Sequence, residues 1–304
     1  MNLENLVVSR LIGGLGNQLF QYAAGRALAD RIGAHLKLDV SGFESQALRK
    51  YELGEMNIRA SIASAEELRA FQKNDQTGTG LRVLLERAKR KFGLRSAAIY
   101  REPSFTYGSG LSSISAPVYL DGYWQSEQYF INIAIALRDE LTLAEEPDIE
   151  NKAILAAIYE SNSLTASAAV SLHVRRGDYV SNAATAQYHG VCSLDYYRDA
   201  IAHVAARVAN PHFFVFSDDP EWADANLHTG FQTTVVKANR ADRGVFDLNL
   251  MKSCRHHIIA NSSFSWWGAW LNADPGKIVI APKVWFKGAK HQTDDLIPAS
   301  WARL

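Results

Sequence analysis

Two adjacent arginines that follow an apolar run are the residues of this sequence best suited to chemistry. The run Ala168–Val174 predicts a buried strand, and Arg175, Arg176, Gly177 and Asp178 come directly after it. Guanidinium groups bind phosphate oxygens through paired, charge-assisted hydrogen bonds, and a glycine lets a ligand approach the backbone closely. The cluster therefore favours a diphosphate site in which Asp178 orients one arginine. An ion-pair cluster that only stabilises the strand end is the alternative interpretation.

Two further apolar runs in the same half of the chain also end in polar residues. Phe213–Phe216 is followed by Ser217–Asp219, and His256–Ala260 is followed by Asn261–Ser263. A serine-rich turn that opens a helix presents N–H groups and hydroxyls to an anion. Because the carboxyl ends of parallel strands lie at one edge of a sheet, where ligands bind, we expect the three polar segments to converge on one site.

Two pairs of neighbouring polar residues have both a chemical and a structural interpretation. Asp218 and Asp219 are suited to Mg²⁺, but the following Pro220 favours a helix N-cap, so no metal site is predicted. His256 and His257 are neighbours on a predicted strand. Their side chains would point to opposite faces, and they are interpreted as structural.

The glycine-rich segment Gly13–Asn17 matches the dinucleotide-binding pattern G-x-G-x-x-G only in part. Leu19 replaces the third glycine, although Asp39 lies at a suitable distance for a ribose contact. The glycines allow a ligand close to the backbone, and Asn17 and Gln18 offer amide groups. A tight strand-to-helix turn is the structural alternative. A nicotinamide-dependent oxidoreductase is therefore one alternative function.

Trp266, Trp267 and Trp270 lie at helical spacing. Large aromatic residues in this arrangement favour a buried core over a platform on which sugars stack. The platform interpretation nevertheless keeps a non-catalytic carbohydrate-binding protein as a second alternative function.

Strand and helix patterns alternate along the chain and must position these residues. The first half opens with a strand (Leu6–Ile12), a helix (Leu19–Arg31) and a strand (His35–Val40), continues with a helical pattern from about 60 to 101, and ends with an apolar helix near Leu143. After a predicted linker at 144–148, the alternation restarts with the runs above and with Leu194–Val208, Pro220–Asn226, Thr233–Lys237, Val245–Ser253, Phe264–Leu271 and Lys277–Ile280. This rhythm predicts two Rossmann-like parallel-sheet domains, residues 1–150 and 151–304, that face a cleft.

The composition excludes several classes of protein. The chain has 304 residues with 32 basic and 32 acidic side chains, a balance that argues against a nucleic-acid-binding protein. Its two cysteines, Cys192 and Cys254, fit no zinc or disulfide framework. No apolar signal core or membrane-spanning run is visible, so a cytoplasmic protein is expected.

Taken together, the motifs resemble glycosyltransferase family 11, the bacterial and animal α-1,2-fucosyltransferases. The segments that carry the likeness, in the order of the family, are GGLGNQLFQYA (Gly13–Ala23), GYWQSEQYF (Gly122–Phe130), HVRRGDY (His173–Tyr179), FSDD (Phe216–Asp219) and NSSFSWWGAWL (Asn261–Leu271). The resemblance implies a GT-B-like fold with an acceptor-side N-terminal domain and a C-terminal domain that binds GDP-β-L-fucose. It also implies inverting transfer of fucose to the O2 hydroxyl of a galactose-containing glycan, with no metal and no other cofactor.

The same resemblance assigns roles to individual residues. Arg175 should hold the β-phosphate, with Arg176 supporting the local fold or the pyrophosphate, and His173 and Asp247 should face the guanosine. The remaining donor-binding residues implied are Asn261, Ser262, Ser263, Gly14 and Asn17. Arg175 and Asp178 are the predicted catalytic residues.

Two features stay open at this point. Asp178 and Glu127 are both candidates for the catalytic base, and a loose transition state needs little help from a base. The basic segment 82–101 suggests peripheral contact with the inner face of an anionic membrane, since bacterial relatives often act on lipid-linked oligosaccharides. A solvated helix face is the alternative for that segment.

Overall fold

The computed structural model describes residues 3–44, 49–74, 98–163, 167–177, 190–239, 243–287 and 292–304. The chain divides into two compact units, Met1–Gly54 with Ile58–Glu140 and Glu55–Asn57 with Leu141–Leu304. The division therefore falls between Glu140 and Leu141, ahead of the predicted linker at 144–148. Asp178 and most of the basic segment 82–101 lie outside the described residues.

The first unit is built on a parallel sheet whose strand order is β3-β2-β1-β5-β4. Short 3-10 turns occur at Ser41–Phe43, Ser109–Ser113, Glu127–Tyr129 and Ile131–Ile133, and another, Leu53–Glu55, lies at the boundary between the units. The strands are β1 (Leu6–Arg10), β2 (His35–Asp39), β3 (Ser61–Ile62), β4 (Ala98–Arg101) and β5 (Val118–Asp121), and the helices are α1 (Leu15–Ile32), α2 (Ala65–Asn74) and α3 (Ala134–Glu140).

Glycines define both ends of the helix α1. It begins directly after Gly14, earlier than the predicted start at Leu19, and it ends at Gly33. Gly33 adopts a left-handed conformation with φ 65°, which glycine reaches without a steric penalty, and its N–H bonds back to the last turn. The βαβ start predicted from the sequence is confirmed by the parallel pairing of β1 with β2.

The helical prediction for 60–101 is wrong at both ends of that stretch. Ser61–Ile62 and Ala98–Arg101 are strands that pair with β2 and β5. Both strands are too short to show the alternation of apolar and polar residues that identifies a strand in a sequence. Their residues are exposed or only half-buried, so no buried face distinguishes them either. Pairing with a neighbouring strand, which local sequence does not reveal, therefore decides their structure.

The second unit is built on a parallel sheet of order β11-β10-β9-β6-β7-β8. Its strands are β6 (Ser167–Val174), β7 (Asn210–Ser217), β8 (Thr233–Val235), β9 (His256–Ile258), β10 (Val279–Ala281) and β11 (Ala302–Arg303), and its helices are α4 (Ile149–Ser163), α5 (Leu194–Ala205), α6 (Pro220–Asn226), α7 (Gly244–Ser253) and α8 (Ser263–Leu271). The strand β11 was not predicted.

The strand order of each unit reverses direction at one place. In the second unit the chain runs outward from β6 through β7 and β8, and then builds β9, β10 and β11 on the other side of β6. In the first unit the reversal lies between β1 and β5. In open parallel sheets, ligands bind at the carboxyl ends of the two strands that flank such a switch point.

The tryptophans of α8 belong to the core, as predicted. Trp266 and Trp267 are fully buried and Trp270 is 2% exposed. Trp266 Nε1 donates to the carbonyl of Leu296 at 2.8 Å. Because the rings are covered by protein, the alternative interpretation as a sugar platform is wrong, and the binding-module alternative loses the feature that suggested it.

A buried histidine links the centre of this sheet to the end of α8. His257 is fully buried, and its Nδ1 lies 2.8 Å from Ser171 Oγ. Its Nε2 lies 3.0 Å from Asn272 Nδ2. Burial, and then the positive charge of Lys277, holds the pKa of His257 well below its usual value. The ring is therefore neutral, donating to Ser171 and accepting from Asn272.

This arrangement predicts a loss of stability in mild acid. In the unfolded chain His257 takes up a proton as the pH falls below about 6.5, whereas the folded protein keeps the ring neutral. The free energy of unfolding should therefore decrease from about pH 6.5 downward, until the pH reaches the lowered folded pKa. Urea unfolding midpoints measured between pH 8 and pH 5 test this, and His257→Gln should flatten the slope. The exposed His228→Gln is the control, and an equal slope in both variants would contradict the assignment.

Candidate functional site

A carboxylate from the neighbouring strand holds the arginine that follows β6. The register of β6 against β7 places Val174 opposite Ser217, so the residues after each strand meet. Asp218 Oδ2 lies 2.9 Å from Arg175 Nη1, and Asp218 Oδ1 accepts the backbone N–H of Arg176 at 2.8 Å. One carboxylate therefore fixes both the guanidinium of Arg175 and the main chain beside it. The residue expected from the sequence to orient the arginine is Asp178, which lies outside the described residues.

Gly177 leaves the space that Asp218 occupies. A Cβ added at Gly177 would lie 2.6 Å from Asp218 Oδ2, closer than real side chains approach. The glycine of this motif is thus required by the carboxylate that packs against it. The glycine is visible in the sequence, but the carboxylate that leaves no room for a Cβ at this position is not.

Arg176 is held by partners other than those of Arg175. Its guanidinium lies 3.7 Å from the centroid of the Trp222 ring, a cation–π contact. Its Nε is 3.6 Å from Asp219 Oδ2. Asp219 also accepts the backbone N–H of Trp222 at 3.1 Å and begins α6, which confirms the predicted N-cap. These contacts support a structural role for Arg176, and its contact with a pyrophosphate stays a prediction.

His173 contributes a neutral ring at the end of β6. It is 4% exposed and packs against Phe264, with the ring centroids 5.5 Å apart. Burial lowers its pKa to about 4, the nearby Asp218 opposes this change, and Arg175 adds to it. Among the described residues no hydrogen-bond partner meets His173 Nδ1. A buried ring nitrogen without a partner is costly unless a ligand or water satisfies it.

The turn between β9 and α8 brings the serines to the same edge. Ser262 precedes the first residue of α8, and its hydroxyl does not cap the helix. Asn261 is 2% exposed, and its Nδ2 donates to the carbonyls of Gly190 at 3.2 Å and Trp285 at 3.1 Å. The amide of Asn261 therefore holds two loops in place. Ser262 and Ser263 provide the helix N-terminus at which an anion is stabilised.

Parallel pairing confirms that three polar segments share one sheet edge. β6 pairs with β7 on one side and with β9 on the other. Arg175, Asp218 and Ser262 follow these three strands, and the switch point of the unit lies between β6 and β9. The geometry therefore combines a fixed guanidinium, a helix N-terminus and a neutral buried histidine, which together suit a diphosphate.

Asp247 lies on α7 in the same unit and has a raised pKa. Burial raises the pKa of this carboxyl to about 7, although a hydrogen bond from Asn239 and the charge of Arg243 act in the opposite direction. Asn239 Nδ2 donates to Asp247 Oδ1 at 2.8 Å, and the Asn239 amide also exchanges hydrogen bonds with Asn151. The Asn239 amide, which Asn151 holds in place, thus orients the Asp247 carboxylate through one of its oxygens. The sequence showed the carboxylate in apolar surroundings but not the amide that orients it.

In the first unit, the glycine turn after β1 is a compact structure. Gly13 has φ 79°, and a Cβ there would lie 2.5 Å from Asn17 Nδ2. Asn17 Oδ1 accepts a hydrogen bond from Gln125 Nε2 at 2.7 Å. Gln18 is fully buried, and its amide bonds to Gly13 O, Lys50 O and Glu52 N. Gly14 and Asn17 remain the residues of this turn for which donor contact is a prediction.

The oxidoreductase alternative loses the carboxylate on which it depended. Asp39 Oδ1 accepts hydrogen bonds from the N–H and the hydroxyl of Ser41. Its Oδ2 accepts a hydrogen bond from the Tyr119 hydroxyl at 2.6 Å. Three of the roughly four acceptor positions of Asp39 are used within the protein, so Asp39 stabilises the end of β2 and has little capacity left for a ribose.

Two further findings concern metals and membranes. Within the described ranges, no group of three or more histidine, cysteine or acidic side chains is arranged to hold a metal ion. No helix of the described part of the chain is both long enough and apolar enough to cross a bilayer.

Comparison with known proteins identifies relatives over the whole chain. The model of glycosyl transferase family 11 matches residues 13–304. An alpha-1,2-colitosyltransferase of Escherichia coli is 37% identical, with 99% of each chain covered. A galactoside 2-alpha-L-fucosyltransferase of Mus musculus is 26% identical over 89% of this chain and 66% of that protein. A structure of an Arabidopsis thaliana FUT1 variant in complex with GDP is 11% identical, with a TM-score of 0.52 over 90% of this chain and 70% of that chain. This likeness confirms the predicted fold of GT-B type with two parallel sheets.

The contact between Gly177 and Asp218 gives a mutational prediction. In Gly177→Ala the new methyl group forces Asp218 away, so Arg175 loses the partner that fixes it. We expect the affinity for GDP, the diphosphate predicted from the sequence, to fall by about tenfold or more. Isothermal calorimetry measures the change. The control is Gly42→Ala, since the nearest atom to a Cβ there is 4.0 Å away. Unchanged GDP affinity in a folded Gly177→Ala protein would show that Asp218 does not position the phosphate-binding group.

Proposed function

The chain belongs to glycosyl transferase family 11, and on this basis we propose that it transfers L-fucose from GDP-β-L-fucose to the O2 hydroxyl of a galactoside, with inversion to an α-linkage. The similarity to the Escherichia coli alpha-1,2-colitosyltransferase extends over 99% of both chains, and it supports the reaction class. The name of the mouse relative supports fucose as the sugar and a galactoside as the acceptor. The single observation of the structure that carries the proposal is the guanidinium of Arg175, fixed by Asp218 at the switch point of the second unit.

The proposed chemistry requires positive charge where GDP departs. The bond between fucose C1 and the β-phosphate oxygen breaks as the acceptor O2 forms a new bond to C1 from the opposite face. Negative charge then grows on the diphosphate. Arg175 and the N-terminus of α8 are fixed in advance and stabilise that charge without rearranging, which is where catalytic electrostatics are most effective. Because His173 is neutral, the fixed positive side chain at this point is Arg175, and the ring repels neither Arg175 nor the ligand.

The proton of the acceptor hydroxyl has two candidate recipients. Asp178 lies outside the described residues. Glu127 begins the 3-10 turn Glu127–Tyr129, and its charge acts on Arg138. The sequence-based assignment of these two carboxylates as alternative bases therefore stays a prediction.

We propose that the reaction needs no metal ion. The two carboxylates suited to Mg²⁺ already have other partners. Asp218 contacts Arg175 and the backbone of Arg176, while Asp219 caps α6. The arginines beside these carboxylates oppose the binding of a cation there, and fixed guanidinium charge supplies what a metal would otherwise provide.

Asp247 is the proposed reader of the guanine base. Guanine presents N1–H and the 2-amino group side by side, and a carboxylate accepts both, whereas adenine offers no such pair. Asn239 occupies one oxygen of Asp247 and orients the group. A site built on buried hydrogen-bond acceptors discriminates strongly against a base that lacks the matching donors.

Colitose is the second candidate for the transferred sugar. The relative that is 37% identical over the full length is an alpha-1,2-colitosyltransferase, and this favours the alternative. Colitose is L-fucose without the 3-hydroxyl, so the diphosphate and guanine contacts described above would serve either donor. The two candidates differ only in what meets C3 of the sugar.

The setting of the enzyme is part of the proposal. A cytoplasmic location with peripheral contact to the inner face of the membrane would bring the enzyme to lipid-linked acceptors. Salt-sensitive co-sedimentation of the protein with anionic vesicles would support this contact through segment 82–101. Absence of binding at low salt would exclude it.

The donor prediction is tested by GDP release with and without a galactoside acceptor. We expect acceptor-dependent release from GDP-fucose that exceeds the release from GDP-colitose, that persists in EDTA, and that yields an α-1,2 linkage by NMR. Arg175→Ala should reduce kcat/KM by about a hundredfold or more, because a contact that strengthens in the transition state is lost. Arg175→Lys should also be poor, since lysine cannot form a bidentate pair.

Other outcomes of this assay would correct the proposal in defined ways. Faster turnover of GDP-colitose would identify colitose as the donor sugar. Loss of activity in EDTA, restored by Mg²⁺, would make Asp218 and Asp219 metal ligands. Glycan binding without GDP release would favour the binding module, and a melting temperature raised by NAD but not by GDP would favour the oxidoreductase.

The raised pKa of Asp247 gives a prediction on pH. Its carboxyl has a pKa of about 7 and is therefore protonated below that value. A protonated carboxyl cannot accept both guanine donors, so affinity for GDP-fucose should fall as the pH decreases from 8.5 to 6. The diphosphate diester of GDP-fucose does not titrate in this range, which isolates the protein group. Calorimetry across that range should show weak, pH-independent binding for Asp247→Asn. Equal pH dependence in both proteins would place guanine recognition elsewhere.

A further inference from the structure

The first unit has its own switch point, and it lies between two turns. β1 neighbours β2 on one side and β5 on the other, so the turns that follow β1 and β5 are adjacent at the carboxyl edge. Gln125 Nε2 donates to Asn17 Oδ1 at 2.7 Å, and Gln21 Nε2 donates to Gly122 O at 3.2 Å. The turn Gly122–Gln125 is therefore fixed against the glycine turn at the position where parallel sheets bind ligands.

The turn after β5 has a strained backbone that Glu102 holds in place. Trp124 has φ 57°, a left-handed conformation that a bulky residue rarely adopts. Glu102 follows β4, and its two carboxylate oxygens accept the N–H groups of Tyr123 at 2.7 Å and Trp124 at 3.0 Å. A Cβ at Gly122 would lie 2.4 Å from Glu102 Cβ. Strain of this kind persists where the surroundings fix it and is common at ligand sites.

The strained turn presents one aromatic side chain to solvent. Tyr123 is 42% exposed, whereas the following Trp124 is fully buried. Trp124 is packed between Tyr100, stacked at a centroid distance of 6.0 Å, and Tyr129, edge-on at 5.4 Å. The buried rings support the turn, and Tyr123 is the ring that remains open to a ligand.

Glu102 lies beside Tyr123 and retains capacity to accept hydrogen bonds. An ionised carboxylate has about four acceptor positions, and the two backbone amides occupy one on each oxygen. The side chain is half-buried rather than enclosed. Burial raises its pKa, against the effect of the two backbone hydrogen bonds. A partly desolvated acceptor of this kind forms stronger hydrogen bonds than one in water.

An exposed tyrosine whose backbone N–H binds a half-buried carboxylate matches a neutral sugar. A pyranose ring has a C–H face, which loses contact with water when it stacks on an aromatic ring, and a rim of hydroxyl donors. A negative carboxylate at the same place disfavours a diphosphate, because like charges repel at short range. The chemistry therefore points to a sugar without charge rather than to the nucleotide part of the donor.

We propose that Tyr123 and Glu102 form the acceptor-sugar subsite, in which the C–H face of the galactoside stacks on the Tyr123 ring and one sugar hydroxyl donates to Glu102. This inference rests on the proposed function for the identity of the sugar. It extends that function by assigning acceptor recognition to a turn of the first unit, on residues given no role above.

The test compares Tyr123→Ala with Tyr123→Phe in steady-state kinetics. The acceptor is varied at saturating GDP-fucose, and the donor is then varied at saturating acceptor. Tyr123→Ala should raise the acceptor KM by about tenfold or more, because the stacking face is lost, with the donor KM unchanged. Tyr123→Phe keeps the ring and should stay near wild type. The matched control is Tyr159→Ala on α4, where the side chain is also exposed, at 56%.

A second pair of variants tests Glu102. Glu102→Gln retains one oxygen but turns a donor toward the backbone amides, so we expect a raised acceptor KM with an unchanged donor KM. Glu66→Gln, exposed on α2, is the control. If Glu102→Gln loses its cooperative thermal transition, the Tyr123 variants decide the proposal alone. An unchanged acceptor KM in Tyr123→Ala, or an equal rise in both KM values, would overturn it.

Failure of the subsite and failure of the proposed function give different results. If the wild type releases no GDP from any donor, the proposed function fails, and saturation-transfer NMR with methyl β-galactoside still reports on the subsite. Transfer to the sugar in wild type that disappears in Tyr123→Ala supports the subsite. Equal transfer in both proteins, or none in wild type, rejects it.

Discussion

The contact between Asp218 and the two residues after β6 is the interaction on which the site depends. Asp218 accepts a backbone N–H and contacts the guanidinium of Arg175 at the same time. Both contacts require that β6 and β7 end at the same level, which the register of Val174 opposite Ser217 ensures. A shift by one residue would turn these side chains to the other face of the sheet. Eight consecutive residue pairs hold the register, and the buried side chains between them make a shift costly.

The sequence revealed the residues that end strands better than the contacts between them. The run Ala168–Val174 is mostly apolar and is followed directly by charged residues, so the strand, its end and Arg175 could all be predicted locally. The partner of Arg175 could not, because Asp218 is adjacent only through strand pairing. Asp178 was preferred as the orienting group since it is near in sequence. The need for Gly177 was hidden for the same reason, because its neighbour comes from another strand.

Short edge strands were missed because their residues carry little information. β4 pairs with β5 over four residues, and none of the four β4 residues is fully buried. The residues of such a segment are compatible with a helix as well as with a strand, and only the pairing with a neighbouring strand decides between the two. This omission concealed the most informative part of the first unit. Glu102 acquires a role only when β4 is placed beside β5, since its carboxylate then meets the turn at Tyr123 and Trp124.

The two sheet edges differ in charge in a way that follows from these contacts. At the edge of the second unit, Asp218 and Asp219 are already engaged by arginines and His173 is neutral, so among the described residues the groups that can meet an anion are guanidinium and helix N–H groups. At the edge of the first unit, the groups that the described part of the chain brings to Glu102 are two neutral backbone amides, which do not cancel its negative charge. A diphosphate is stabilised by the fixed guanidinium of the first arrangement, whereas the Glu102 carboxylate repels anionic oxygens that come close to it. A neutral sugar carries no negative charge for Glu102 to repel, and its hydroxyl groups can donate hydrogen bonds to that carboxylate. The pattern of pairing within each unit, rather than the overall number of charges, thus distinguishes a surface for the nucleotide from a surface for a sugar.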